Sequence, residues 1–180
     1  MKKYVIFIAL FCLCCGVSAQ AQTPKFGHIN VEELVSLMTE RDSAMVKFQK
    51  FVAEYQEMFE EIQVEYRTKA NEYNQKSASW SAAILEMKQN ELNGIRERLE
   101  QFSQTAQQMI ENQQNVLFFP VYTRANEAVK KIAKDLGLIY VFNSAAMPYI
   151  DEVQSLNLLN KAKAELKIPA GKVSPTPFGE

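Results

Sequence analysis

The chain contains a long stretch that is almost free of residues that break helices. Between His28 and Leu136 there is one glycine, Gly94, and one proline, Pro120. Globular domains rarely continue for about a hundred residues with so little turn-forming sequence. The stretch therefore predicts long helices. It also raises the question of how Pro120 is tolerated, because proline inside a helix costs roughly 3 kcal/mol.

Apolar residues in this stretch are separated by three or four positions in a regular alternation. In the first half the alternation is carried by Phe48, Val52, Tyr55, Phe59, Ile62, Tyr66 and Tyr73. In the second half a similar rhythm is carried by Ile84, Met87, Ile95, Leu99, Phe102, Ala106 and Met109. Such spacing, sustained over this length, indicates helices that pack along an apolar seam as in a coiled coil.

The seam is interrupted once, in a segment rich in serine and alanine. The segment NQKSASWSAAI (74–84) loses the periodicity around Trp80. Ser79 or Ser81 can cap the start of a second helix, since serine side chains accept hydrogen bonds from free backbone N–H groups. We therefore expect a helix over about 39–77, a tight reversal near Ser79, and a second helix from about Ser81.

The two legs of this predicted hairpin have similar lengths, which offers an explanation for the proline. Counted from the tip, Asp42 is about 37 residues away and Pro120 about 41, so both legs measure roughly 55–60 Å at 1.5 Å per residue. Pro120 then marks the joint where the returning leg meets the rest of the molecule. Either the helix bends there at small cost, or a separate helix begins with Pro120 in its first turn.

The segments at either end of the hairpin predict short strands and helices. Residues 25–30 are a strand candidate, and Asn30 begins a helix with a capping-box pattern. After Pro120, an amphipathic helix ends at Gly137, a typical residue just beyond a helix C-terminus. The apolar sequence LIYVFN (138–143) predicts a second strand.

The last fifty residues predict three further features. Residues 146–150 form a weaker strand candidate, and Pro148 places it at a sheet edge. A final helix is expected from about Ser155 to Leu166. The Pro/Gly-rich tail, 169–180, is expected to be disordered.

These features predict an α+β fold, mostly α: a long antiparallel α-hairpin, or coiled-coil arm, projecting from a small β-sheet oligomerisation body. We assign residues 42–119 to the arm and residues 22–41 and 120–168 to the body. A core below ~70–80 residues rarely suffices alone, so we expect the body to oligomerise. Its candidate residues for oligomerisation are Phe26, Ile29, Leu138, Ile139, Val141 and Phe142.

The first 21 residues have the pattern of a cleavable signal peptide. Lys2 and Lys3 precede an apolar run, and the small-x-small sequence Ala19-Gln20-Ala21 follows it. We expect cleavage after Ala21 and a periplasmic location. A lipoprotein is the alternative because the three cysteines lie in this segment, although none follows the small residues typical of lipidation sites. Cleavage would leave no cysteine for disulfides or metal binding.

Catalytic or nucleic-acid functions find little support in the mature chain. His28 is the only histidine, and we expect a structural role or simple exposure for it. No phosphate-binding glycine loop, metal-ligand spacing or catalytic Ser-His-Asp set is present. The mature chain would carry 18 basic and 21 acidic residues, and this small net negative charge does not indicate nucleic-acid binding. We predict no enzyme, no catalytic residue, no metal and no cofactor.

Five features follow one another in a characteristic order: the signal peptide, the opening FGHINVEEL (26–34), the helical hairpin, the return from Pro120 through VKKIAKDLGLIYVF (129–142), and the acidic YIDEV (149–153). Together they resemble the Skp/OmpH family of periplasmic chaperones. The resemblance covers essentially the whole mature chain. It implies a homotrimer with a β-sheet body and three α-hairpin arms around a cavity, which holds unfolded outer-membrane proteins without ATP.

Two departures from the family pattern affect these expectations. Family arms are often basic, whereas residues 42–118 contain 8 basic and 12 acidic residues. This balance makes binding to anionic lipid doubtful. The family's Asp-x-Thr-Asp-Glu-Val ending lacks its threonine here.

A holdase needs many weak, non-directional apolar contacts, which exposed aromatic and methionine side chains provide. Phe51 and Met58 widen the seam of the first helix, and Trp80 lies at the predicted tip. We predict them as client contacts. Packing against the other leg, or capping of the hairpin end by Trp80, is the simpler alternative for each. A structural coiled-coil spacer or adaptor of the cell envelope is the alternative function.

Overall fold

The computed structural model describes residues 26–169 and 171–173. Its helices and strands, in chain order, are β1 (Phe26–Ile29), α1 (Val31–Ser36), α2 (Thr39–Lys76), α3 (Ala82–Asp135), β2 (Tyr140–Asn143), β3 (Ser155–Asn157) and α4 (Leu159–Glu165). Short 3-10 turns follow α2 at Ser77–Ser79 and β2 at Ser144–Ala146. The predicted signal peptide (1–21) and the end of the predicted tail (174–180) lie outside the described residues.

The two long helices form the predicted hairpin. Helix α2 contains 38 residues and α3 contains 54. The chain reverses at the Ser77–Ser79 turn, and Ser81 caps α3 by accepting a hydrogen bond from the Ile84 backbone N–H at 3.4 Å. The reversal and the serine cap therefore agree with the sequence analysis.

Helix α3 runs without interruption through Pro120. The alternative in which Pro120 starts a separate helix is thus wrong, and the amphipathic segment after it is the last part of α3. Proline cannot donate a hydrogen bond to the carbonyl of Val116, four residues earlier. Both residues are exposed, so water can satisfy that carbonyl. Fully buried residues of α3 resume immediately afterwards, at Val121.

Helix α3 ends just before Gly137, as the sequence predicted. Gly137 has a φ of +65°, a left-handed conformation that glycine adopts without steric cost. Its N–H donates to the carbonyl of Lys134 at 3.1 Å, and the N–H of Leu138 donates to that of Ala133 at 2.9 Å. This pair of bonds is a Schellman motif, which ends α3 and directs the chain into β2.

The sheet has three parallel strands in the order β2-β1-β3. Gly27 of the central strand lies against Leu138 and Leu158, since a Cβ there would lie 2.8 Å from Leu138 Cδ1 and 3.1 Å from Leu158 Cδ1. Helices α1, α3 and α4 cover this side of the sheet. The buried core cluster comprises Ile29, Leu34, Val35, Met38, Ala44, Val121, Ala125, Val129, Ile132, Leu158 and Ala162.

Two predictions for the C-terminal part are wrong. Residues 146–150 form no strand. Ala146 is the last residue of a 3-10 turn, and residues 147–150 have no regular secondary structure. The third strand is instead β3, which the sequence analysis had placed in the last helix. That helix begins only at Leu159, whose N–H donates to the Asn157 side chain at 3.0 Å.

The chain after α4 continues in contact with the rest of the molecule. Leu166 and Ile168, just before the predicted tail, pack against the core. Within the described part of the tail, the Lys172 N–H donates to the Pro169 carbonyl at 3.0 Å. Lys172 Nζ lies 2.7 Å from Asp42 Oδ2 near the start of α2. This contact lowers the pKa of Asp42, mainly through the hydrogen bond from Lys172.

Candidate functional site

The interior of the arm is only partly closed. Among the described residues between Thr39 and Pro120, those that are fully buried are Ala44, Leu92 and Ile95. The remaining seam residues keep part of their surface in contact with solvent. Two antiparallel helices can shield one side of each other but leave their lateral sides open. The arm therefore presents apolar surface along most of its length.

Aromatic rings fill the seam in the half of the arm nearest the body. Tyr55 lies 4.8 Å from Phe51 and 5.9 Å from Phe102 between ring centroids, and Phe59 lies 6.2 Å from Phe102. Contacts of this kind are worth about 0.5–1.5 kcal/mol each beyond the burial of area. They hold the two helices together, although each of these aromatic side chains is only half-buried.

The structure does not bring the three predicted client contacts together. Phe51 is half-buried in the aromatic row, and Met58 is exposed. Trp80 is half-buried at the tip, where its ring meets Tyr73 edge-on at 5.8 Å. About 20 helical residues separate Trp80 from Met58, a distance of roughly 30 Å. The position of Trp80 matches the capping alternative, and its role in client binding stays a prediction.

One side of the arm carries apolar residues from both helices. Phe51, Met58 and Glu65 are spaced seven residues apart, so they share one side of α2. Glu65 forms an ion pair with Arg98 of α3. That contact makes this side of α2 continuous with the side of α3 that carries Arg98.

The same side of α3 carries two residues that were not recognised as site residues from the sequence. Met109 follows Arg98 by about three helical turns, and Val116 follows two turns later. Met109 was assigned to the seam, yet its side chain is 42% exposed, and Val116 is 67% exposed. We call Phe51, Met58, Met109 and Val116 the lateral face. Its only sequence signal was the seven-residue spacing.

Polar contacts set the register of the arm beyond this face. Glu91 lies between Lys69 at 2.5 Å and Lys88 at 3.0 Å, and these two lysines lower the pKa of its carboxyl. Arg96 donates to the Tyr66 hydroxyl at 3.0 Å. All of these groups are partly or largely exposed to solvent, so the contacts add little to the stability of the folded protein. Their main effect is to fix which residues of α2 face which residues of α3.

The outer face of the sheet is also exposed and aromatic. The rings of Phe26, Tyr140 and Phe142 lie 6.1–6.4 Å apart between centroids. Beside them a cavity of about 240 Å³ is lined by His28 and Met147, among other residues. His28 is buried, and its Nδ1 lies 2.9 Å from Ser155 Oγ, which links β1 to β3. His28 therefore occupies a structural position.

The six predicted oligomerisation residues divide between the two faces of the body. Ile29 is buried in the core, and Leu138 and Val141 pack against it. Phe26, Ile139 and Phe142 are exposed. Only these last three are available for contact with another chain without a change in the protomer.

Neither a metal site nor a membrane-spanning helix is evident in the part of the chain that the structure describes. No cluster of three or more His, Cys, Asp or Glu residues there could hold a metal ion. None of the helices described has the length and apolar character needed to cross a bilayer.

Comparisons with known proteins agree with this architecture. The family model described as outer membrane protein (OmpH-like) matches residues 25–166. The fold resembles a crystal structure of a candidate OmpH-like outer membrane chaperone from Caulobacter crescentus CB15. The TM-score is 0.67 at 12% identity, with 87% of this chain and 94% of that chain covered. No curated protein matches the sequence significantly. The family match extends over most of the chain, and we conclude that the protein belongs to the OmpH-like family.

Proposed function

We propose that the mature protein is an ATP-independent periplasmic holdase that binds unfolded outer-membrane proteins and prevents their aggregation in transit. The observation that carries the proposal is the lateral face, an exposed apolar surface on a long helical arm. Membership of the OmpH-like family supports the same function. Location in the periplasm rests on the predicted signal peptide with cleavage after Ala21.

The arm has the physical properties that such binding requires. An unfolded β-barrel chain exposes apolar residues in varied order, so its holder needs contacts that do not depend on a fixed sequence. Phe51, Met58 and Met109 offer polarisable or aromatic side chains that adapt to different partners. Burial at about 25 cal/mol per Å² makes each contact weak, and several arms acting together raise the total affinity.

We further propose that the protein assembles as a homotrimer through the body. Strand β2 is at the edge of the sheet; Ile139, just before it, and Tyr140, its first residue, are 58% and 61% exposed. A groove of about 660 Å³ follows this edge. Unpaired edges and exposed aromatic residues favour association with another chain. The number of three comes from the family resemblance.

Suppression of aggregation tests the holdase proposal. A urea-denatured outer-membrane β-barrel protein is diluted into buffer without nucleotide, and light scattering is followed. We expect near-stoichiometric amounts of the mature protein to suppress the scattering. If aggregation proceeds unchanged at a threefold excess of correctly assembled protein, the holdase proposal fails and the structural adaptor replaces it.

The residues of α2 on the lateral face provide a second test. Replacing Phe51 and Met58 by serine should weaken suppression while helicity and oligomeric state stay largely intact. Phe51 also contacts Tyr55, so circular dichroism must establish that the arm remains helical. If the helical double variant suppresses aggregation as well as the wild type, these two residues do not contribute to client binding.

A further inference from the structure

The half of α3 nearest the body is nearly free of charge. Residues 101–123 contain a single charged residue, Glu111, whereas the facing residues 42–64 of α2 contain seven. The helix maintains this neutrality over about 33 Å. A surface helix normally carries charges on its solvent side, so this segment differs from the rest of the arm.

Side-chain amides replace the missing charges. Residues 101–115 include eight of them, and in the described structure Gln107 is the one with a hydrogen bond, a 3.5 Å contact with Glu111. Those with no hydrogen-bonded partner in that part of the chain are Gln101, Gln104, Gln108, Asn112, Gln113, Gln114 and Asn115. A primary amide both donates and accepts hydrogen bonds. It can therefore bond to either polar group of another backbone, whatever the sequence.

One of these amides, that of Asn112, lies in line with the apolar residues Met109 and Val116 of the lateral face. Thr105, Met109, Asn112, Val116 and Phe119 are spaced four, three, four and three, so they form one exposed strip along α3. Phe119 is 72% exposed. The strip is about 21 Å long, and an extended chain of roughly six residues spans the same length.

We propose that this strip, from Thr105 to Phe119, is a docking track for an extended segment of unfolded, apolar-rich polypeptide. Met109, Val116 and Phe119 contact its apolar side chains, and Asn112 bonds its backbone. The inference rests on the proposed holdase function and names the surface that performs it.

The chemistry of the strip selects this occupant over others. Nucleic acids and anionic lipids require cationic groups, and the strip has none. An unfolded chain carries unpaired backbone N–H and C=O groups together with apolar side chains. The strip offers partners for both. Binding should consequently depend little on salt concentration.

The α2 helix provides a matched control surface. Val46 and Val64 are about five helical turns apart, so they share the side of α2 that faces away from the seam. They are 67% and 48% exposed, close to the values of 67% and 42% for Val116 and Met109. Serine replacements at the two sites therefore remove similar amounts of exposed apolar surface.

The first measurement is photo-crosslinking with the assembled, full mature protein. A photoreactive amino acid replaces Asn112 on the strip or Gln107 on the opposite side of α3. With an unfolded outer-membrane β-barrel protein as the probe, we expect at least about fivefold more crosslinked client from position 112 than from position 107. Equal yields of crosslinked client from the two positions would show that the strip is not the proposed docking track. Crosslinks from position 112 to a second copy of this chain, with or without client, would identify an interface between copies and overturn it too.

The second measurement compares the double variants Met109→Ser/Val116→Ser and Val46→Ser/Val64→Ser in client binding. We expect about tenfold weaker apparent affinity for the first pair, because it removes apolar contacts, and less than about twofold change for the second. If the wild-type protein binds no client, the proposed function itself fails. If the wild type binds and both pairs retain its affinity, only the docking track is wrong.

Discussion

The body and the arm use their apolar residues in different ways. In the body, Leu34 and Leu158 are completely inaccessible to solvent, and helices cover one side of the sheet. In the arm, residues of the same types remain partly exposed along two paired helices. The body therefore supplies most of the packing energy of the protomer, and the arm retains apolar surface that can contact another chain.

Different kinds of contact hold the two regions. The body is held by close packing, which leaves Gly27 no room for a side chain. The arm is held by aromatic contacts and by exposed ion pairs such as Glu65–Arg98, which contribute little stability. This difference suits the proposed function, in which the body would assemble and the arm would bind varied partners.

The largest expected effect is on assembly. Ile139→Asp places a charge on an exposed residue beside the edge strand, so it should convert the proposed oligomer to monomers or aggregates in sedimentation velocity. Val46→Asp, at a comparably exposed position on the arm, is the control and should leave the oligomer intact. Survival of the oligomer in Ile139→Asp would show that the assembly surface lies elsewhere.

Val141→Asp separates assembly from folding. Val141 packs against the core of its own protomer, so a charge there should unfold the body rather than merely dissociate it. Near-UV circular dichroism distinguishes the two outcomes. A folded, monomeric Val141→Asp protein would mean that the core tolerates the charge and that our account of the body is wrong.

Two glycines should respond to the same substitution in opposite directions. In Gly27→Ala the new Cβ would lie 2.8 Å from Leu138 and 3.1 Å from Leu158, so we expect a loss of about 1–3 kcal/mol. In Gly94→Ala the new Cβ meets open space within a helix, so we expect a gain of about 0.4–1 kcal/mol. Urea unfolding at one fixed protein concentration measures both. Equal changes in the free energy of unfolding, in the same direction, would contradict the difference in packing between the body and the arm.

The smallest expected effect concerns the contact between the C-terminal segment and the arm. Lys172 lowers the pKa of Asp42, so the ion pair stabilises the folded state fully above the ordinary aspartate pKa and loses this effect as pH falls through the lowered pKa of the folded state. Lys172→Ala should cost about 0.5 kcal/mol or less at neutral pH, since both groups are partly exposed. The difference between the two proteins should shrink when the pH is taken from neutrality to below the lowered pKa of Asp42. A difference of the same size at both pH values would assign the effect to packing.

The sequence predicted the arm well because local rules determine it. The spacing of three and four residues, the cap at Ser81 and the terminal Gly137 each depend on neighbours within a few positions. Strand β3 was not predicted because it depends on a partner that is distant in the sequence. It has three residues with one apolar side chain, and its partner β1 lies far earlier in the chain.

The candidate site was only half predictable. Phe51 and Met58 could be singled out because they widen an apolar stripe, but Met109 fitted the seam spacing and was assigned to it. Spacing places a residue on a side of its own helix. Which side meets the partner helix depends on contacts such as Glu65–Arg98, which join residues 33 positions apart.

Hydrogen exchange followed by mass spectrometry, with and without an unfolded outer-membrane β-barrel protein, tests the division between body and arm most directly. In the free protein, amides near Ser79 should exchange much faster than those of the central strand β1. Client binding should slow exchange over residues 105–119 and leave β1 unchanged. Equal protection of the tip and β1 in the free protein, or protection gained in the body rather than in the arm, would contradict the account.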